Sequence, residues 1–169
     1  IDAPEKDEPH AEAARAALRA RLEGRALLLV PTAEGQDRYG RTLAFLHLPA
    51  EGEGEGRGDG APDTGEPETP APGASVNAWM VEQGHARTFF VGEAQDWHAA
   101  FREAERRARA ARRGIWRDAP AAPDHYVASA RRFHRPDCPH AAAIRSPRRF
   151  ETADACLAAG LTPCRACKP

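Results

Sequence analysis

The stretch DRYGRTLA, residues 37–44, is a charged turn that leads directly into an apolar strand, and it organises the interpretation of the whole sequence. An arginine held at the mouth of a strand, here Arg41, is well placed to clamp an anion. Taken alone the stretch indicates little, because polar hairpin turns that contain glycine are common without any function. Two other segments support a functional interpretation of this stretch. Asp2 and Glu5 place two carboxylates around a proline-stiffened bend, and residues 76–86 read VNAWMVEQGHA.

The length of 169 residues allows one ordinary domain and a small satellite. No run of about 18 apolar residues occurs, so we expect no membrane span. The chain begins at Ile1, and we expect it to be cut, with any signal lying upstream. The formal net charge is −1, but residues 49–73 hold seven acidic residues against one arginine. The remainder is therefore modestly basic, which is compatible with a nucleic-acid partner.

Residues 49–73 contain almost only Glu, Gly, Asp, Pro, Ala and Thr. Such a composition buries too little apolar surface to offset the entropy of ordering the chain. We therefore predict a disordered acidic insertion. A solvated loop is the favoured interpretation, and a mimic of nucleic acid that competes for the basic face is the alternative.

Hydrophobic periodicity predicts mixed α and β structure in the rest of the chain. The expected elements are a helix over 11–22, a hairpin of strands 25–30 and 41–48 with a turn at 31–36, a helix over 75–84 capped by Ser75, and a helix over 93–116. We expect the arginines of the last helix to form a solvated face rather than a face that contacts DNA. Residues 118–125 contain Pro120 and Pro123 and are expected to be a linker.

Several motifs in order resemble the staphylococcal nuclease family: IDAPE at 1–5, DRYGRTLAF at 37–45, VNAWMVEQGHAR at 76–87 and a long helix ending in GIW at 116. The resemblance covers residues 1–117 apart from the insertion. It implies an α+β fold, namely a five-stranded OB-type barrel packed on three helices, with its first strands missing from this fragment. Such barrels offer an open groove for nucleic acid.

Phosphodiester hydrolysis needs an activated water and neutralisation of charge on the phosphoryl oxygens, often with a hard cation. Glu5 is the candidate general base, Arg41 the candidate phosphate clamp, and Asp2 a candidate oxygen ligand for Ca2+. The resemblance assigns the same roles and adds the backbone carbonyl of Ala3 to the calcium shell. It also implies substrate contacts by three residues, which are Arg38, Tyr39 and Phe90.

Two departures from the family pattern bear on these roles. Gly92 stands where a second aromatic is expected, which puts tight nucleotide stacking in doubt. For Phe90, packing in the core is as well supported as contact with a nucleotide. Family members also carry another calcium aspartate and another phosphate arginine upstream of IDAPE. We therefore expect these residues alone to be nearly inactive, and the longer protein to cut DNA or RNA with Ca2+.

The leading hypothesis is thus an enzyme, a calcium-dependent endonuclease, and we expect a monomer. The alternative is a non-catalytic module that binds nucleic acid or a protein. Retention of Asp2, Glu5 and Arg41 favours the enzyme, because a pure binder has no chemical need for a carboxylate facing a phosphate. The resemblance further suggests a secreted or cell-envelope protein.

All four cysteines lie in the last 32 residues. His134-x3-Cys138 and Cys164-x2-Cys167 are two closely spaced ligand pairs, which suits a tetrahedral Zn2+. A module of this size, residues 126–169, would need a bound metal or a cross-link to fold, and we favour a structural zinc over a disulfide. Cys156 lies in a predicted short helix that begins at Thr152 and ends at Gly160, and it is expected to be a small core residue.

This second module resembles the zinc-binding domain of the Ada DNA-repair proteins over YVASARRFHRPDCP, residues 126–139, and FETADACLAAGLTPCRACKP, residues 150–169. In Ada the first ligand is a cysteine that accepts a methyl group from DNA. His134 occupies that position here and cannot be the same thiolate acceptor, which argues against methyl-transfer repair. Its basic residues suit either a tether to DNA or a purely structural appendage. They are Arg131, Arg132, Arg135, Arg145, Arg148, Arg149 and Lys168.

Overall fold

The computed structural model of the chain describes residues 1–37, 39–49, 74–90 and 97–169. Arg38, most of the predicted acidic insertion and Gly92 lie outside the described residues. The helices are α1 (Ala11–Leu22), α2 (Val76–Glu82), α3 (His98–Ala110), α4 (Pro139–Ala142) and α5 (Ala153–Ala158). The strands are β1 (Leu28–Gln36), β2 (Thr42–His47), β3 (Tyr126–Ala128), β4 (Arg132–His134), β5 (Arg148–Phe150) and β6 (Thr162–Pro163).

Strands β1 and β2 form an antiparallel hairpin that reverses at residues 37–41. The ladder runs from Leu28 opposite His47 to Pro31 opposite Ala44, and it resumes after an irregularity at Gln36 opposite Thr42. The prediction of a turn at residues 31–36 was therefore wrong. The chain stays in one strand there because it is paired with β2 up to Pro31 and again at Gln36, with an irregularity of the β-bulge type between these two residues.

Two of the described helices begin at a residue whose side chain caps them. The Ser75 hydroxyl accepts the N–H of Ala78 at 3.1 Å and starts α2, and the Thr152 hydroxyl accepts the N–H of Ala155 at 3.0 Å and starts α5. The predicted helix over 93–116 is shorter in the structure, since α3 ends at Ala110. Arg112 takes a positive φ of 49°, which ends the helix before a separate 3-10 turn at Gly114–Trp116.

Two glycines bring the end of α2 against this 3-10 turn. A Cβ atom on Gly84 would lie 2.2 Å from the carbonyl oxygen of Arg113, and one on Gly114 would lie 2.2 Å from the carbonyl oxygen of Gly84. The N–H of Ile115 donates to the Gly84 carbonyl at 2.9 Å. Only glycine allows the two backbones to approach this closely.

The second half of the chain forms a four-stranded sheet in the order β5-β3-β4-β6. Strand β3 pairs antiparallel with both β4 and β5, whereas β4 and β6 are parallel. Strand β6 and the residues after it therefore lie beside β4. This pairing brings the Cys-x2-Cys turn close to His134.

One hydrophobic core connects both halves of the described chain. It contains Phe45, Met80 and Phe101 from the first half together with Phe133 and Leu161 from the second. The predicted boundary at residues 118–125 thus separates segments that share a core, and it stays a prediction.

The described residues form an α+β structure with two separate sheets, and these strands do not close into a barrel. None of the described helices is long and apolar enough to cross a membrane.

Candidate nuclease site and metal centre

The turn at residues 37–41 is organised by the carboxylate of Asp37. Its Oδ1 accepts the backbone N–H groups of Tyr39 at 2.8 Å and Arg41 at 3.0 Å. Its Oδ2 accepts Arg41 Nε at 2.6 Å and lies 2.6 Å from Arg41 Nη2. The carboxylate therefore sets both the backbone of the turn and the direction of the guanidinium. The Arg41 side chain is 73% exposed, so solvent and any ligand can reach it.

The charge state of the turn follows from these contacts. The hydrogen bond to Asp37 and the charge of that carboxylate raise the pKa of Arg41, and Glu5 acts in the same direction. Partial desolvation acts to raise the pKa of Asp37, but the hydrogen bonds from Arg41 and Tyr39 outweigh it and lower the pKa. Both groups stay ionised near neutral pH.

The predicted substrate contacts differ in accessibility. Tyr39 is 67% exposed, and its ring centroid lies 5.4 Å from Cζ of Arg41. Phe90 is only 5% exposed and stacks on His98, with ring centroids 3.7 Å apart. Trp97 meets the Phe90 ring edge-on at 5.6 Å. This packing supports the core alternative for Phe90, and its contact with a nucleotide stays a proposal, as does that of Arg38.

Asp2 is anchored through its backbone. Its N–H donates to the Arg87 carbonyl at 2.9 Å, and its carbonyl accepts the Arg87 N–H at 2.8 Å. The Asp2 carboxylate lies 4.0 Å from Nη2 of Arg165. Glu5 is exposed, and its N–H donates to Glu8 Oε2 at 3.1 Å. The carboxylates of Asp2 and Glu5 thus lie on one loop that is fixed by its main chain.

The Asp2 carboxylate and the Ala3 carbonyl offer at most three protein oxygens, whereas Ca2+ takes six to eight oxygen ligands. Within the described ranges Asp2 belongs to no group of three acidic, histidine or cysteine side chains close enough to share an ion. These two residues alone do not fit the ion, so we derive no chemical step through calcium.

The ligand atoms of His134, Cys138, Cys164 and Cys167 all lie within 4.8 Å of one another. We call this set the His/Cys cluster. His134 Nδ1 lies 3.6 Å from Cys138 Sγ. A nitrogen and a sulfur bound tetrahedrally to Zn2+ stand about 3.5 Å apart, given bond lengths of about 2.0 and 2.3 Å. None of the four cysteines, all of which lie in the described residues, forms a disulfide. The donor set and its spacing fit a zinc ion.

Tertiary packing brings this cluster together. His134 lies in β4, Cys138 is the residue before α4, and Cys164 follows β6, with its N–H donating to the Phe133 carbonyl at 3.0 Å. His134, Cys138 and Cys164 are all buried. The N–H of Arg135 donates to Cys167 Sγ at 3.5 Å. Such N–H groups orient metal-bound thiolates.

Burial and backbone donors also set the protonation of the ligands. Burial lowers the pKa of His134, which favours the neutral imidazole that a metal requires. Burial and the neighbouring thiols raise the pKa of Cys167 to about 12. At Cys164 burial opposes ionisation, but the N–H groups of Cys167 and Ala166 outweigh it and lower the pKa. We therefore expect metal binding to release protons, including that of the Cys167 thiol.

Cys156 is not part of the cluster. It is fully buried in the core beside Leu157 and Leu161, and burial raises its pKa to about 12. It is a core residue, as its place in a short helix predicts.

Sequence reasoning missed the side chains that join the two halves. Arg87, Arg109 and Arg165 were not assigned a structural role, and Lys168 was considered only for phosphate contacts. Arg109 lies partly buried, with Cζ 3.8 Å from the Trp116 ring centroid, although the helix arginines were predicted to form a solvated face. The sequence did contain a signal for this contact. Arg109 follows Glu105 by four residues on the helix, and the two side chains pair at 2.7 Å.

Comparison with known families agrees with the motif order. Residues 1–118 match the family described as Staphylococcal nuclease homologue, and because this match spans most of the sequence, the chain belongs to that family. The predicted resemblance over residues 1–117 is thereby confirmed. Members of the family are in general nucleases that bind nucleic acid. No curated protein matches the chain.

Proposed function

We propose that this chain carries part of the active site of an endonuclease that hydrolyses phosphodiester bonds of DNA or RNA. The observation that supports it best is the Arg41 guanidinium, which is exposed to solvent and held in one direction by the Asp37 carboxylate. In this proposal Glu5 takes a proton from the attacking water, and Arg41 stabilises charge that develops on the phosphoryl oxygens. Tyr39 and Arg38 contact neighbouring parts of the substrate.

Asp2 and Ala3 are proposed to supply two calcium ligands, with further ligands from water, substrate and residues upstream. The proposed complete fold is the OB-type barrel of the family, with β1 and β2 as two of its strands.

The His/Cys cluster is proposed to hold a structural Zn2+ in an Ada-like module over residues 126–169. A second role in binding nucleic acid is favoured by one observation, which is that most of its basic side chains are exposed. The exposed residues are Arg131, Arg132, Arg145, Arg148 and Arg149. Because these contacts would be made to phosphates, their contribution to affinity should fall steeply with salt.

The deciding experiment uses the chain extended upstream by the segment that the family resemblance predicts. Glu5→Gln keeps the size and hydrogen bonding of the side chain but removes the base. We expect the cleavage rate to fall by about 10²–10⁴-fold, the usual contribution of a general base. Salt-dependent binding to duplex DNA should be retained. Glu12→Gln, an exposed carboxylate on α1, is the matched control and should cleave like the parent.

A loss of less than about tenfold in Glu5→Gln would reject Glu5 as the base. A parent protein that binds DNA in a salt-dependent manner but never cleaves it would favour the non-catalytic binding module instead.

A further inference from the structure

We infer that residues 164–168, which carry two ligands of the His/Cys cluster, position the loop of residues 1–8 that carries Asp2 and Glu5. We call these the knuckle segment and the motif loop. The inference rests on the proposed function, because it assigns a task to the metal module in the nuclease site. Three separate contacts support it.

The first contact runs through Arg87. Its Nη1 donates to the carbonyl of Lys168 at 3.2 Å, and its Cζ lies 4.5 Å from the ring centroid of Trp116. The backbone of Arg87 forms the two-way hydrogen-bonded bridge with Asp2. One residue therefore joins the main chain of the knuckle segment to the main chain of the motif loop.

The second contact is the ion pair between Lys168 and Glu8. The other carboxylate oxygen of Glu8 accepts the N–H of Glu5, and the Glu8 N–H donates to the Glu5 carbonyl at 2.9 Å. The hydrogen bond from Lys168 lowers the pKa of Glu8, which keeps it ionised and able to hold both partners. Lys168 thus fixes the turn that presents Glu5.

The third contact is made by Arg165, which lies between the two cysteine ligands. Its Nη2 is 4.0 Å from Asp2 Oδ1, and its Cζ is 5.4 Å from the ring centroid of Phe89. At 60% exposure its side chain is too solvated for this ion pair to add much stability. Its effect is to place a positive charge beside the Asp2 carboxylate.

Residues that flank these contacts are themselves held firmly. Arg109 donates to the Pro169 carbonyl at 2.9 Å and pairs with Glu105, which is only 4% exposed. Glu105 in turn accepts the N–H of Thr88 at 2.6 Å. The residues next to Arg87 and next to Lys168 are therefore tied to the same helix, α3. A cleft of about 260 Å³ lies at this junction and is lined in part by Asp2, Glu8, Arg87, Cys167 and Lys168.

The consequence is a coupling between metal binding and the placement of the motif loop. Lys168 directly follows the ligand Cys167 and has a positive φ of 43°, a conformation that needs support from its surroundings. A bound metal fixes Cys164 and Cys167 and so restricts Arg165 and Lys168 between and beside them. By linkage, a loop that is held in place should in turn strengthen metal binding.

Amide hydrogen exchange on the whole chain tests the coupling without relying on catalysis. Arg87→Met removes the side-chain bond to Lys168 and keeps most of the packing on Trp116. We expect exchange at the amides of Asp2 and Arg87 to become at least about tenfold faster, as for loss of one hydrogen bond made by a charged group. Amides of the β1–β2 ladder should keep their parental rates. Arg106→Met is the control, since Arg106 is exposed and pairs with Glu103 on the same helix at 2.7 Å.

Two further arms use Lys168→Met and removal of zinc by a chelator. Both should speed exchange at the Glu5 and Asp2 amides several-fold. Unchanged protection in Arg87→Met and Lys168→Met would overturn the inference, even if the parent cleaves nucleic acid. Faster exchange in these variants, with no cleavage by any protein including the parent, would support the positioning role and reject the proposed nuclease.

Discussion

The His/Cys cluster and the turn at residues 37–41 hold their candidate functional side chains in different ways. The cluster draws four residues from separate elements, three of them buried, to within 4.8 Å of one another. The turn is built from consecutive residues, and Arg41 is exposed and fixed mainly by Asp37. The cluster therefore depends on the tertiary fold, whereas the turn depends on local hydrogen bonds.

Because of this difference, we expect that the stability of the fold and the proposed catalysis can be changed independently by mutation. Damage to the cluster should weaken the fold, because its ligands lie beside the shared core and next to the motif loop. Damage to the turn should weaken catalysis and leave the fold intact, because few other residues rely on the Arg41 side chain. The following predictions test that separation.

The largest effect is expected on removing a cluster ligand with Cys164→Ser. Structural zinc contributes about 10–16 kcal/mol of apparent binding free energy in small zinc-finger peptides, and here part of that stabilisation should be lost. We expect metal content, measured by atomic absorption, to fall from about one ion per chain to near zero. The melting temperature should fall with it. Cys156→Ala is the control for loss of a buried thiol and should keep its metal. Equal metal content in both variants would mean that the cluster is not the zinc site.

A smaller effect, confined to catalysis, is expected for Arg41→Lys in the extended chain. Lysine keeps the charge but loses the planar fork that matches a phosphate. Cleavage should slow by about 10²-fold, comparable to loss of one donor to a developing oxyanion. The melting temperature should stay at the parental value. Arg106→Lys, which also alters an exposed arginine paired with a carboxylate, should change neither quantity. If Arg41→Lys cleaves as fast as the parent, Arg41 does not act in the proposed active site.

The smallest effect concerns the titration of Asp37. Its pKa is lowered in the folded chain, so its contribution to stability is present above the unfolded pKa of about 3.9 and is lost as pH falls through the folded value. NMR should show the Asp37 carboxyl titrating below its ordinary range. In Arg41→Met the midpoint should return towards that range. An unchanged midpoint would show that Arg41 does not lower the pKa of Asp37.

Local features of this fold were predictable from sequence. Ser75 and Thr152 cap their helices through a hydroxyl at the expected position, and His134 and Cys138 lie near the Cys-x2-Cys pair as the ligand spacing predicts. Each of these depends on residues close in sequence or on one strongly preferred chemistry. The family assignment likewise came from several motifs in order.

Long-range features were not predictable in this way. The contacts of Lys168 with Glu8 and of Arg87 with the Lys168 carbonyl join residues far apart in sequence, and no periodicity encodes them. Burial of Phe90 and of part of Arg109 likewise follows from what packs around them. The early end of α3 depends on the backbone conformation of Arg112, which residue type does not indicate.

The close approach of Gly84 and Gly114 has a consequence for motion. Because each backbone fills the space that a methyl group on the other would need, no side chain lies between them that could change rotamer. Elements in direct main-chain contact cannot slide without breaking the bond from Ile115 to Gly84. The junction of α2 with the 3-10 turn is therefore a poor place for a hinge, and any opening of this protein to admit a nucleic acid should bend the chain elsewhere.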